Sequence, residues 1–215
     1  MHELKKKKLI IKYSKSFSKS GFSPIRSGNI SIRHKNKNQE GFLITPSGKK
    51  NDQLEVSDIV FVNLNGLSEK HKKPSSEWKF HLDIYRNKDC NSIVHAHSKF
   101  SVICSCLFKK IPAFHYMIAL TGAKEINIAD YALFGSEKLS KNILKSIKGR
   151  KSCLISNHGQ ISVGDNIENA FELAEEVELL CEYYYYCMLK KKPKYIIPKE
   201  MDKVLNKISN YKKHK

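Results

Sequence analysis

Three histidines in this chain have the spacing expected of a catalytic metal site. His95 and His97 follow an apolar, β-branched run that is typical of a buried strand. Side chains alternate faces along a strand, so these two imidazoles should point the same way, roughly 6.5–7 Å apart. His158 lies at a break between two further strand-like runs. Three neutral imidazoles with an open coordination position suit Zn²⁺ or a similar cation. The alternative for a lone His-x-His pair is two hydrogen-bonded core histidines, and the surrounding residues favour the metal.

Glu77 is the candidate base for this site. It follows Pro74-Ser75-Ser76, which opens a segment with helical periodicity. A carboxylate there could ligate the metal or remove a proton from a metal-bound substrate. The alternative is a glutamate that only complements the dipole at the start of the helix.

Three turns of small residues could bind an anion. They are Ser27-Gly28-Asn29, Thr45-Pro46-Ser47-Gly48 and Ser75-Ser76. Each offers backbone N–H groups and hydroxyls, and the third lies at the predicted helix start, where the dipole favours negative charge. One such turn alone is an ordinary loop or cap. Three of them beside a metal pair predict a phosphate-binding site.

The chemistry that these parts support is enolisation of a phosphorylated ketose. A divalent metal would bind the adjacent carbonyl and hydroxyl oxygens as a Lewis acid. Glu77 could then remove the proton between them, leaving an enediolate stabilised electrostatically by the metal. An aldol cleavage also needs a proton donor near the aldehyde, a role for which tyrosine is suited.

Short strands alternate with helices along the chain, and many of the strands form hairpins. Strands are predicted at 29–34, 41–45, 59–64, 91–97 and on both sides of His158; helices are predicted within the first twenty residues and at 74–85, 100–108, 137–147 and 167–188. Asp165 and Glu168 form a D-x-x-E capping signal for the last helix. This pattern favours a mixed, mostly antiparallel sheet covered by helices over a doubly wound parallel sheet.

Length and composition favour one cytoplasmic domain over residues 1–215. A chain of 215 residues with 40% hydrophobic content can build one substantial core. The six cysteines include no CxxC pair, which indicates reduced thiols. No segment approaches the length of a membrane span, so no membrane partner is expected. From about residue 200 the chain is expected to be a basic tail.

The net charge of +18 raises the alternative of a nucleic-acid-binding protein. Only four of the 39 basic residues are arginine, the residue best suited to bidentate recognition of bases and phosphates. The lysines are also spread along the whole chain. These features disfavour a nucleic-acid partner, although the positive field would attract a phosphorylated substrate.

In this combination the chain resembles the class II aldolase/adducin family and looks closest to its L-fuculose-phosphate aldolase branch. The resemblance runs from Ser27 to Tyr211, and its distinctive segments are 27–29, 43–48, 74–78, 95–97, 111–117, 131–135 and 158–159. It implies a three-layer α/β/α sandwich with a mixed, mostly antiparallel central sheet. It also implies a homotetramer with active sites between subunits.

The resemblance further implies a role for each matching residue. His95, His97 and His158 would bind one Zn²⁺ per subunit, and Glu77 would be the general base that also touches the metal. The phosphate of dihydroxyacetone phosphate would be held by Gly28, Asn29, Ser47, Gly48, Ser75 and Ser76. Tyr116 would lie near the substrate, and Tyr211 would help to protonate the aldehyde.

Departures from the family pattern leave the aldehyde open. Asn157 stands where the closest aldolases often have a second histidine, and Gly122 stands alone where they tend to have two glycines. The expected activity is cleavage of L-fuculose 1-phosphate or 5-deoxyribulose 1-phosphate into dihydroxyacetone phosphate and an aldehyde. The alternatives are a ribulose-phosphate 4-epimerase, whose family members typically carry Asp at position 77, a methylthioribulose-phosphate dehydratase, and a non-catalytic adducin-like binding protein.

Overall fold

A computed structural model describes residues 2–23 and 25–213, apart from the side chains of Ser18 and of residues 211–213. Within these ranges one mixed sheet runs through the molecule. Its strands are β1 (Asn29–Asn36), β2 (Gln39–Ile44), β3 (Val60–Asn63), β4 (Ser92–Ala96), β5 (Lys110–Ile111), β6 (Ile126–Ala129), β7 (Ser152–Ile155) and β8 (Gly159–Gly164). The strand order is β3-β2-β1-β4-β8-β7-β6-β5, and of these neighbours only β6 and β7 are parallel. The mostly antiparallel sheet predicted from the sequence is confirmed.

Helices cover both faces of this sheet. They are α1 (Glu3–Lys19), α2 (Trp78–Asn87), α3 (Lys99–Leu107), α4 (Glu137–Ile147), α5 (Ile167–Lys190) and α6 (Pro198–Lys213). The helices α2 and α4 pack on one face, and α1, α3 and α5 pack on the other. The predicted three-layer α/β/α sandwich is therefore confirmed. Among the described residues, no helix is both long and apolar enough to cross a bilayer.

The strand β4 lies at the centre of the sheet and is covered on both sides. Ile93 packs in the cluster under α2 and α4, whereas Val94 and Ala96 pack in the cluster under α1 and α5. This double burial explains its continuous apolar sequence. Alternation along the strand then places His95 on the Ile93 side, beneath α2.

The boundaries of α4 and α5 show how accurately the local sequence predicts where a helix begins and ends. The helix α4 spans its predicted range because Leu139, Ile143 and Ile147 recur at helical spacing and Ser136 accepts a hydrogen bond from the Leu139 N–H. In α5 the capping prediction was wrong by one residue. Asn166, not Asp165, is the cap, and its side chain accepts from the Asn169 N–H at 2.8 Å.

The segment from residue 198 onward, expected to be a basic tail, forms the helix α6. Met201 on this helix is fully buried, and Val204, Leu205 and Ile208 pack against the same cluster. These four apolar residues recur at helical spacing among lysines. The helical spacing of these apolar residues therefore predicts α6, but the many lysines between them obscured the pattern.

Candidate metal centre

Four potential ligand atoms converge at the end of β4. The His95 Nε2 atom lies 2.9 Å from His97 Nε2 and 3.1 Å from Glu77 Oε2. The His158 Nε2 atom lies 3.1 Å from Glu77 Oε1. One ligand atom from each of the four residues lies within 4.8 Å of the others. The structure thus brings together the three histidines and the glutamate that the sequence analysis selected.

His158 is aimed by a tight turn between β7 and β8. Asn157 adopts a left-handed conformation with φ of 55°, which asparagine tolerates better than most residues. The next residue, Gly159, leaves no room for a side chain, since an added Cβ would lie 2.3 Å from the carbonyl oxygen of Ala96. This close approach brings the turn against β4, so that His158 faces His95 and His97.

Glu77 is the residue immediately before the first turn of α2, and its side chain does not cap the helix. The alternative role predicted from the sequence was to complement the dipole at the start of this helix. Instead its carboxylate is buried and faces the histidines, and Asn29 Nδ2 donates to Oε2 at 3.0 Å. The local geometry therefore favours a role in the cluster over a role in starting the helix.

The donor set fits a divalent cation. The His95 Nδ1–H group donates to the carbonyl oxygen of Gln160 at 2.8 Å, which leaves the Nε2 lone pair of the neutral ring directed at the cluster. Glu77 Oε1 is buried and makes no hydrogen bond among the described residues, although His158 Nε2 lies 3.1 Å from it. Lone pairs that converge in this way repel one another unless a cation lies between them.

The protonation states at neutral pH also suit a metal. Burial, together with the neighbouring imidazoles of His95 and His158, lowers the pKa of His97 to about 3, so the His97 ring is neutral. Burial opposes ionisation of Glu77, but the neighbouring His95 and His158 outweigh it and hold the pKa of this carboxyl well below its usual range. Neutral imidazoles and an ionised carboxylate are the forms that bind Zn²⁺.

A pocket of about 440 Å³ opens beside the cluster. Glu77, His97 and His158 form part of its wall. The predicted phosphate-binding residues all line it as well: Gly28, Asn29, Ser47, Gly48, Ser75 and Ser76. Sequence reasoning missed further lining residues, among them Arg26, Tyr131 and Phe134. The signal for Arg26 was its position beside the first small-residue turn, and the signal for the two aromatic residues was their place in the segment 131–135.

Of the two tyrosines predicted near the substrate, the structure tests only the position of Tyr116. Tyr116 lies in a short 3₁₀ helix, is half exposed and is absent from the described pocket wall. Tyr211 lies on α6, but its side chain falls outside the described part of the chain. Neither residue contributes to the geometry described above.

The fold and the cluster of three histidines and a glutamate together define a class of protein. Residues 8–185 match the family described as Class II Aldolase and Adducin N-terminal domain. The chain belongs to the class II aldolase/adducin family.

Relatives with assigned activities align over nearly the whole chain. The 5-methylthioribulose-1-phosphate/5-deoxyribulose-1-phosphate aldolase of Rhodospirillum rubrum is 42% identical and covers 89% of this chain and 85% of its own length. The L-fuculose phosphate aldolase of Haemophilus influenzae is 39% identical and covers 90% of this chain and 89% of its own length. A solved structure of an L-fuculose 1-phosphate aldolase, 34% identical, superposes with a TM-score of 0.90 over 95% of this chain and 96% of its own.

Proposed function

We propose that this protein is a metal-dependent aldolase that reversibly cleaves a ketose 1-phosphate into dihydroxyacetone phosphate and an aldehyde. The observation that carries the proposal is the convergence of Glu77, His95, His97 and His158 at the wall of a pocket lined by small-residue turns. The activities named for the relatives, which concern fuculose, deoxyribulose and methylthioribulose phosphates, support this substrate class.

The three histidines and Glu77 would hold one Zn²⁺ per subunit. When bound there, a divalent cation supplies Lewis acidity and positive charge beside the carbonyl and hydroxyl oxygens of the substrate. Glu77 is ionised, and its Oε1 atom accepts no hydrogen bond from the described residues. In the condensation direction this oxygen would take a proton from the hydroxyl-bearing carbon of dihydroxyacetone phosphate.

The remaining steps need one proton donor beside the aldehyde oxygen. The electron pair left on the substrate carbon attacks the aldehyde carbon, which forms the new C–C bond. The resulting alkoxide then takes a proton, for which Tyr211 stays the proposed donor and Tyr116 a proposed neighbour of the substrate. Cleavage runs the same steps in reverse and returns the proton from Glu77 to carbon.

The phosphate of the substrate would lie against the small-residue turns. Ser75 and Ser76 lie just before Glu77 at the start of α2, where the helix dipole favours an anion. Gly28 has a φ of 81°, and a Cβ there would lie 2.7 Å from the carbonyl oxygen of His95. Only glycine allows this turn to lie against β4, so the proposed phosphate-binding and metal-binding groups would share one wall.

We also propose a cytoplasmic homotetramer with active sites between subunits. Several aromatic side chains on the surface support an assembly that would cover them, among them Tyr116, Tyr183 and Tyr186, each about half exposed. All six cysteines are free, which favours a reducing compartment.

Condensation of dihydroxyacetone phosphate with three aldehydes tests the proposal. Lactaldehyde, acetaldehyde and methylthioacetaldehyde correspond to the ketose phosphates named for the relatives. We expect product with at least one of them, loss of product in EDTA and recovery when Zn²⁺ is restored. A folded, zinc-loaded protein that turns over none of the three would refute the aldolase proposal.

A further inference from the structure

A buried chain of hydrogen bonds extends from Glu77 into the core. Asn29 Nδ2 donates to Glu77 Oε2 at 3.0 Å, and Asn29 Oδ1 is hydrogen-bonded to His81 Nε2. His81 Nδ1 lies 2.7 Å from Ser31 Oγ, which lies 2.8 Å from Tyr85 OH. All five residues are buried, and His81 and Ser31 have no exposed surface. Sequence reasoning assigned no role to His81.

Because Glu77 can only accept, it fixes which group donates in every hydrogen bond of this network. The ionised carboxylate can only accept, so the Asn29 amide must present its nitrogen to Glu77 and its oxygen to His81. That oxygen can only accept, so His81 must carry its proton on Nε2. The Nδ1 atom of the neutral ring then accepts from the Ser31 hydroxyl, which in turn accepts from Tyr85.

The helix α2 and the strand β1 provide the residues of this hydrogen-bonded network. The helix α2 contributes His81 and Tyr85, one and two turns after Glu77, and β1 contributes Asn29 and Ser31, two residues apart on one face. The His81 ring is also held by packing. It stacks on Phe80 with ring centroids 4.7 Å apart and an interplanar angle of 22°. Burial lowers the pKa of His81 to about 3, so the ring is neutral, as the bond directions require.

We propose that His81 is a positioning residue for the base Glu77, acting through the Asn29 amide. The inference rests on the proposed aldolase function. If the His81 Nε2–H donor is removed, the Asn29 amide loses the hydrogen bond that fixes its orientation. The amide could then rotate by about 180°, which would place Oδ1 against the Glu77 carboxylate. Two facing acceptors repel each other, so the carboxylate would leave the position that it holds beside His95 and His158.

Two substitutions at position 81 separate positioning from mere packing. Glutamine can place an N–H where His81 Nε2 lies, whereas asparagine reaches only as far as Nδ1. At saturating Zn²⁺ we expect His81→Asn to lower kcat by about 10- to 100-fold, the range seen when a group that orients a metal-site residue is lost. Because His81 does not reach the pocket, KM should change little. His81→Gln should recover most of the activity.

His34 provides a matched control. This buried histidine lies on β1, outside the site, and is hydrogen-bonded to Glu3. His34→Gln should keep the wild-type kcat. If His81→Asn does not fold, Ser31→Ala takes its place, since removing the Ser31 donor allows the proton of His81 to move to Nδ1. A kcat that is equal in His81→Asn and His81→Gln would overturn the proposal.

Crystal structures of the metal-free variants provide a readout that does not depend on activity. The Asn29 amide should keep its contact with Glu77 in His81→Gln and lose it in His81→Asn. An unchanged contact in both variants would refute the positioning role. A wild-type protein that is inactive with all three aldehydes would instead refute the aldolase function, and the two failures are therefore distinguishable.

Discussion

The two carboxylate oxygens of Glu77 have different surroundings, which suggests different roles. Oε2 accepts from Asn29 and lies 3.1 Å from His95 Nε2, so its position is fixed. Oε1 is buried, lies 3.1 Å from His158 Nε2 and accepts no hydrogen bond within the described part of the chain. Oε1 is thus the oxygen available to take a proton. The same residue can contact a metal through one oxygen and act as a base through the other.

Replacing Glu77 with glutamine should separate these two roles. The amide keeps the size of the side chain but cannot accept a proton from carbon, so we expect kcat to fall by about 10²- to 10⁴-fold, the range of general base catalysis. The three histidines should still bind Zn²⁺. The measurement is kcat together with zinc stoichiometry, and His158→Gln is the paired variant, which should lose zinc. Retention of full activity by Glu77→Gln would exclude this residue as the base.

At the scale of elements, the close approach of the β7–β8 turn to β4 brings the residues of the candidate metal site together. Gly159 is in contact with the backbone of Ala96 and His97, and its own φ is not in the left-handed region. Steric contact alone therefore requires glycine at this position. The turn carries His158 and the strand leads to His95 and His97, so the separation of these two elements controls the separation of the ligands.

The substitution Gly159→Ala should damage both stability and metal binding. The new Cβ would lie 2.3 Å from the Ala96 oxygen, so the turn must move away and take His158 with it. The matched control is Gly149→Ala, where φ is 70° and no atom lies within 4 Å, so only backbone strain of about 1–2 kcal/mol applies. Thermal unfolding and zinc affinity measured on both variants should show weaker zinc binding only in Gly159→Ala. Equal zinc affinities would contradict this account.

Local patterns predicted most of the elements and the residues of the candidate metal site, but they did not predict contacts between distant segments. The periodicity of α4 and the spacing of His95 and His97 are visible within a few residues. By contrast, the pairing of Asn29 opposite His95 depends on the register of β1 on β4, which no local signal encodes. For the same reason the sequence indicated Asn29 only as a phosphate ligand and could not predict its bond to Glu77.

At the scale of the whole molecule, the net charge of +18 surrounds the protein with a positive electrostatic field. Such a field concentrates anions near the protein and weakens as salt shortens the Debye length. Arg26 is among the residues that line the pocket, so the field has a cationic group at the site itself. The general charge and the local arginine should therefore act in the same direction on a phosphorylated substrate.

Ionic strength should consequently affect the two substrates of the condensation differently. Dihydroxyacetone phosphate is an anion, and raising the salt from about 0.01 M to about 0.15 M shortens the Debye length from about 30 Å to about 8 Å. We expect KM for this substrate to rise several-fold over that range, while KM for the uncharged aldehyde stays constant and serves as the internal control. Steady-state kinetics in which both KM values rise together would indicate a general effect of salt on the protein. That result would exclude a steering role for the +18 charge, because steering acts on the charged substrate alone.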